Sequence, residues 1–272
     1  IFEISFESTC AKLKAENYHY IIDLHHNLRT FRLKSRLRLL SFTFNKLNIK
    51  KWLLVNLKID KLPDIHIVDR YLQTVRLFDV VNDNKGLDYF IPDREEIPIS
   101  DLPETYRQGY IAVVTGGKHF TKQLPDEKLT NICNHVRYPV ILLGGREDFE
   151  KGETIKGNCT NDVLNFCGQY TINQSASLIK QSRLVITPDT GLMHIAAAFR
   201  KKIISFWGNT VPEFGMSPYM ADPDSRIFQV NGLKCRPCSK IGFKKCPRNH
   251  FRCMNDIEID EVIRYVNNIG GK

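Results

Sequence analysis

A run of apolar residues, Leu184 to Thr187, stops at Pro188-Asp189-Thr190-Gly191, and a helix of small residues follows with His194 in its first turn. A helix N-terminus presents free backbone N–H groups and a partial positive charge, and a glycine there lets a ligand approach the backbone. Thr190 and Gly191 are therefore placed to meet a phosphate. Asp189 would repel that phosphate, so its expected partner is a sugar hydroxyl or a backbone N–H, with His194 donating to the same ligand. The plainer reading makes Asp189 an N-cap and His194 a locally satisfied histidine. Two further apolar runs also end in glycines, Thr115-Gly116-Gly117 and Gly144-Gly145. After the first come Lys118, Thr121 and Lys122, suited to the oxygens of a diphosphate. No GxxxxGK[ST] loop and no GxGxxG after a strand is present, which argues against a P-loop nucleotidase and a dinucleotide dehydrogenase.

These residues need a scaffold that brings strand ends together. From about Gly109, short apolar runs alternate with helical segments: "YIAVVTGG", "YPVILLGG", "VLNFCG", "RLVITPDTG" and "KIISFWG" read as strands. "DEKLTNICNHV", "TINQSASLIKQS" and "LMHIAAAFRK" read as helices. That alternation predicts an α/β fold with a parallel sheet covered on both faces, a Rossmann-like domain over 108–272. In the first 107 residues "ESTCAKLKAENY" reads as a helix, "HYIIDLHHN" and "KWLLVNL" as strands, and "DIHIVDRYLQTVRLFDVV" as a strand edge entering a helix. The Pro- and acid-rich stretch before Tyr106 has the composition of a linker, and the domain boundary is placed near it.

The 272 residues carry a formal charge of +9, which points to an anionic partner. The excess is concentrated between Arg29 and Lys61, where Arg29, Arg32, Lys34, Arg36 and Arg38 are interleaved with Leu28, Phe31, Leu33, Leu37, Leu39 and Leu40. Taken alone, this is a solvated helix face; as an amphipathic basic segment, it suits an anionic membrane surface. Nucleic acid is not the expected partner, because no recognition signature accompanies the charge. No stretch approaches ~20 uninterrupted apolar residues, no leader-like segment is seen, and a cytoplasmic location is expected. The sequence opens on Ile1 rather than Met, and an N-terminal piece is expected to be absent from it.

Of eight cysteines, four crowd together as Cys235, Cys238, Cys246 and Cys253, with His250 nearby. A Cys-x2-Cys knuckle with two more thiols offers a ligand set for structural Zn²⁺. Packed reduced thiols and disulfides are the other readings.

"DTGLMHIAAAF" followed by "KIISFWGNTVPEFGMSPY" resembles the C-terminal half of glycosyltransferase family 9, the ADP-heptose:lipopolysaccharide heptosyltransferases. "YHYIIDLHHNLRTFRL" and "IHIVDRYL" are similar to stretches of that family's front half. The resemblance implies a GT-B architecture, two Rossmann-like domains facing across a cleft, with 1–107 an incomplete acceptor-side domain and 108–272 holding the nucleotide-sugar. It implies a transferase that inverts the anomeric carbon without a metal and requires no cofactor. The donor would be an ADP-heptose-like sugar, and the acceptor a lipid-linked core oligosaccharide at the inner membrane's cytoplasmic face. Carried over by position, Gly117, Lys118, Thr121 and Lys122 would hold the diphosphate. Asp189, Thr190, Gly191, Leu192 and His194 would hold sugar and phosphates, and Gly144 and Gly145 would border the nucleoside. The family's general base sits in a Gly-Asp loop after its first strand. No such stretch precedes Ile1, so no base is assigned and Asp23 is the fallback. The alternatives are another nucleotide-sugar enzyme such as an epimerase, a catalytically silent sugar-nucleotide-binding module, and a basic nucleic-acid-binding protein.

Overall fold

The computed structural model describes residues 5–269; the expectation about what precedes Ile1 lies outside the described residues. Helix α1 (Phe6–Ala15) starts at Ser5, whose hydroxyl accepts from the Ser8 N–H at 3.2 Å. Strand β1 (Tyr20–Asp23) pairs in parallel with β2 (Leu40–Thr43) through helix α2 (Leu28–Leu37). Asn27 and Thr30 form a reciprocal capping box at the start of α2.

Two expectations for this half are corrected. "KWLLVNL" is no strand; it lies in helix α3 (Asn48–Leu57). Its apolar run does not alternate, and helical spacing sends Leu54 inward against Val211 and Phe214 while Trp52 stays exposed. The expected strand edge near Ile65 is absent as well. His66 caps helix α4 (Ile67–Leu72) there, its Nδ1 accepting from the Val68 N–H at 3.2 Å.

The linker before α5 (Glu104–Arg107) is not free. The Ile97 N–H donates to Ser177 Oγ at 2.9 Å, and Lys180 pairs with Glu96 at 2.8 Å. From there strands β3 (Ile111–Val114), β4 (Val140–Leu143), β5 (Val163–Asn165), β6 (Leu184–Pro188), β7 (Lys202–Trp207) and β8 (Arg226–Gln229) form one sheet. The order is β5-β4-β3-β6-β7-β8 and every pairing is parallel. The crossovers are α6 (Asp126–His135), α7 (Phe149–Gly157), α8 (Ile172–Gln181) and α9 (Gly191–Ala198); α10 (Arg252–Asn255) and α11 (Ile259–Ile269) close the chain. Alternate strand residues feed two cores. Ile111, Val113, Val140 and Leu142 face α6 and α11, while Ala112, Val114, Ile141 and Leu143 face α8 and α9. Here β3 is the first strand, so the order is that of a doubly wound sheet whose direction reverses between β3 and β6. Ligands of such sheets bind at that crevice.

The two halves meet where α4 docks on the turn after β7. The Ile67 N–H donates to the Gly215 carbonyl at 2.7 Å, Arg70 Nη2 to the Phe214 carbonyl at 3.0 Å, and the Tyr219 hydroxyl to Asp69 Oδ1 at 2.8 Å. Gly215 has φ +76, and a Cβ there would lie 2.7 Å from the Ile65 carbonyl oxygen, so only glycine suits the turn.

Candidate functional site

At the reversal point the ends of β3, β4 and β6 surround a cavity of about 370 Å³. Gly116, Gly117, Gly144 and Gly145 line it from one side, and Thr190, Gly191 and Leu192 from the other. Thr190 occupies the N-cap position of α9 in extended conformation but makes no side-chain cap bond. Its hydroxyl meets that of Thr187 at 3.2 Å instead, leaving the first amides of α9 unclaimed by it. A Cβ on Gly191 would touch nothing within 4 Å: the backbone faces open space.

Sequence reasoning missed the residues that close the cavity. Asp148, 5% exposed, accepts from the Gly145 N–H at 2.8 Å and lies directly over Gly116, where a Cβ would collide with its carboxylate. Burial pushes its carboxyl pKa up, against the pull of the Gly145 N–H. Glu147 stands over Gly145, and Tyr170, Ile172 and Ser175 complete the wall. An acid a few residues past a glycine strand end was the available signal. The cavity thus combines buried carboxylate oxygens, which can accept from hydroxyls, with the apolar faces of Tyr170, Ile172 and Leu192. A ribose beside a flat base has that pair of requirements.

A polar cluster borders it. Lys122 Nζ lies 2.6 Å from Asp189 Oδ2 and 3.4 Å from the Asp189 carbonyl oxygen, and the Thr210 hydroxyl donates to the same Oδ2 at 3.0 Å. Asp189 therefore does not cap α9; Lys122 and Thr210 hold its Oδ2. With the carboxylate largely out of water, the nearest cation and hydroxyl satisfy it. Thr210, unforeseen, belongs to the site. His194 is half-buried; burial first, then His66 and Lys122, push its pKa below 6.5 against the opposing pull of Asp189. Its ring makes no hydrogen bond among the described residues, so it is a neutral imidazole available to a ligand. His66 is supplied by the N-terminal half, its Nε2 2.8 Å from the Ser217 carbonyl oxygen and its ring 4.5 Å from that of Tyr219.

Other expected residues are placed differently. The Thr121 hydroxyl is spent on the segment after β8, accepting from the Phe243 N–H at 2.8 Å and donating to its carbonyl at 3.2 Å. It is 1% exposed and cannot reach a diphosphate. Lys118 is exposed and does not line the cavity. Asp23 is 4% exposed, accepts from the His25 and His26 N–H groups at 3.0 and 2.7 Å, and pairs with Lys34 at 2.8 Å. Burial raises its pKa, but Lys34 and these hydrogen bonds outweigh it and hold the carboxyl well below the usual range. It organises the end of β1 and is a poor proton acceptor. The four thiols named as candidate zinc ligands, Cys235, Cys238, Cys246 and Cys253, lie near one another, with Cys238 hydrogen-bonded to Cys235. No group of three or more His, Cys, Asp or Glu side chains among the described residues is arranged to hold a metal ion. Cys246 and Cys253 are buried in the core, Cys253 on α10 itself, while Cys235 Sγ lies 3.8 Å from His250 Nε2.

The family model "Glycosyltransferase family 9 (heptosyltransferase)" matches residues 8–246. The chain is 33% identical over 121 residues to lipooligosaccharide heptosyltransferase 2 of Haemophilus influenzae, a match covering 42% of this chain and 34% of that protein. Matches to the curated relatives thus span about a third of their length. Among solved structures, Escherichia coli ADP-heptose lps heptosyltransferase II superposes with a TM-score of 0.68 at 17% identity, covering 98% of this chain and 80% of that one. Escherichia coli heptosyltransferase WaaC with ADP gives 0.61 at 17% identity, covering 97% and 77%. These superpositions show the α/β fold of GT-B type expected from the sequence.

Proposed function

The chain belongs to glycosyltransferase family 9, and from that premise we propose that it moves a heptose from an ADP-heptose-like donor to a lipid-linked lipopolysaccharide-core acceptor. The observation that carries this reading is the cavity between β3 and β6, which joins glycine-lined strand ends, the open N-terminus of α9 and the Lys122 ammonium. The nucleoside lies against Tyr170, Ile172 and Leu192 with its ribose hydroxyls donating to Asp148. The diphosphate runs across Gly117 to the amides of Thr190 and Gly191. Lys122 then divides its charge between Asp189 and the phosphates.

In the transfer, an acceptor oxygen forms a bond to the anomeric carbon as the bond to the phosphate oxygen breaks. The electron pair leaves with ADP, and the acceptor proton passes to a base not assigned to any residue of this chain. The helix amides and Lys122 stabilise the charge that grows on the leaving diphosphate, so no metal step is invoked. Neutral His194 donates to a sugar or phosphate oxygen without adding a charge. The reading places the protein in the cytoplasm beside the membrane that carries its acceptor.

Titration calorimetry with ADP, UDP and GDP, on wild type and Asp189→Ala, tests it. ADP is expected to bind and the variant to bind less; equal binding of all three nucleotides, or none of any, removes the reading.

A further inference from the structure

A cavity of about 630 Å³ lies outside the donor site, between α1 and α2. Phe6, Cys10 and Phe31 give it apolar walls, and Lys14, Arg32 and Arg36 set cations along it. Glu7 is the one acid in its lining. Beside it α2 leaves Leu28 79% and Phe31 62% exposed. Lys34, on the inner side of α2, is paired with Asp23. Arg29, Arg32, Arg36 and Arg38 have no salt bridge among the described residues. The capping box holds the start of α2, and Leu33 and Leu37 on its other side are half-buried.

We propose that the groove between α1 and α2, with the outer face of α2, is a docking surface for an anionic phospholipid bilayer. Headgroup phosphates meet Lys14, Arg32 and Arg36, and Leu28, Phe6 and Phe31 enter the boundary between headgroups and acyl chains. An amphipathic helix with arginines flanking large apolar side chains binds such a boundary by both effects together. A nucleic-acid backbone would satisfy the cations and leave the exposed leucine and phenylalanine in water, so the bilayer fits better. The biological sense of this surface rests on the reading of a lipid-linked acceptor, but docking needs no turnover, and the two can fail separately.

Sedimentation with mixed phosphatidylethanolamine–phosphatidylglycerol vesicles, against pure phosphatidylcholine, tests it on the full chain. Binding is expected to the anionic vesicles only and to weaken with salt. The double variant R32A/R36A is expected to lose roughly 25-fold in apparent affinity, about fivefold per cation, and Phe31→Ser to lose affinity at unchanged charge. ADP calorimetry on the same variants reports their folding and is expected to match wild type. Equal binding to phosphatidylcholine, wild-type sedimentation by R32A/R36A, or tighter binding to duplex DNA than to vesicles would overturn the proposal.

Discussion

Lys122, just past the end of β3, and Asp189, at the end of β6, meet at 2.6 Å across the point where the sheet reverses direction. The side chains are 17% and 8% exposed, so little water screens the pair. The cation that the ligand site needs is therefore held ready by an acid from the neighbouring strand end, and Thr210 fixes that acid from the next strand along.

Removing either partner alone should expose this dependence. Lys122→Met leaves a buried carboxylate with only the Thr210 hydroxyl and is expected to cost about 2–3 kcal/mol of stability, somewhat below the range for fully buried pairs. It should also weaken ADP binding by roughly 30-fold through the lost charge-assisted bond to the diphosphate. Asp189→Asn keeps the lysine and should lose less affinity than stability. Urea denaturation and ADP calorimetry on both variants separate the effects; unchanged ADP affinity in Lys122→Met would remove the lysine from the site.

The glycines of the cavity make a graded series. Gly116→Ala drives a Cβ into the Asp148 carboxylate and should abolish ADP binding and lower stability. At Gly117 the nearest neighbour is Thr190 Cγ2 at 3.4 Å, so alanine there should fold normally and bind more weakly. Gly191→Ala meets no protein atom and should leave melting unchanged or slightly raised, because the unfolded chain loses freedom, yet obstruct the diphosphate. A Gly191→Ala protein with wild-type ADP affinity would show that no ligand approaches α9.

His194 and His66 both have pKa values pushed below 6.5, chiefly by burial. Between that value and the lower folded one, the unfolded chain binds protons that the folded chain refuses. Stability is then complete above pH 6.5 and falls as the pH drops through the folded values. The melting temperature should decline from pH 7 toward pH 5, and the decline should be shallower in His194→Gln. An unchanged slope in that variant would assign the pH dependence elsewhere.

The sheet and its glycine ends were legible because buried parallel strands read as short apolar runs with punctuated ends, as at Val140–Leu143 before Gly144-Gly145. The N-terminal half was harder. Trp52 to Leu57 is mostly apolar without alternation, and Leu54 finds its partners in Val211 and Phe214, far away in sequence. The site's residue types were readable, but their partners were not. Nothing local reveals that Thr121 hydrogen-bonds Phe243, 122 positions away, or that Asp189 turns to Lys122. Such pairings depend on which strand ends become neighbours, and that is a property of the sheet order.

The cysteines allow a last test, by reactivity. Burial pushes the Cys253 thiol up to about 12 and the Cys238 and Cys167 thiols up to about 11. At pH 8 roughly one Cys253 thiol in ten thousand is then ionised, and the thiolate is the species that reacts. Cys235 is only half-buried, beside His250. Iodoacetamide at pH 8, followed by peptide mass mapping, should label Cys235 and the half-buried Cys159, whose thiol the Cys133 hydrogen bond pulls down, and leave Cys167 and Cys253 unmodified until urea is added. Cys253 labelling as fast as Cys235 in the folded protein would mean that α10 does not stay packed on the core.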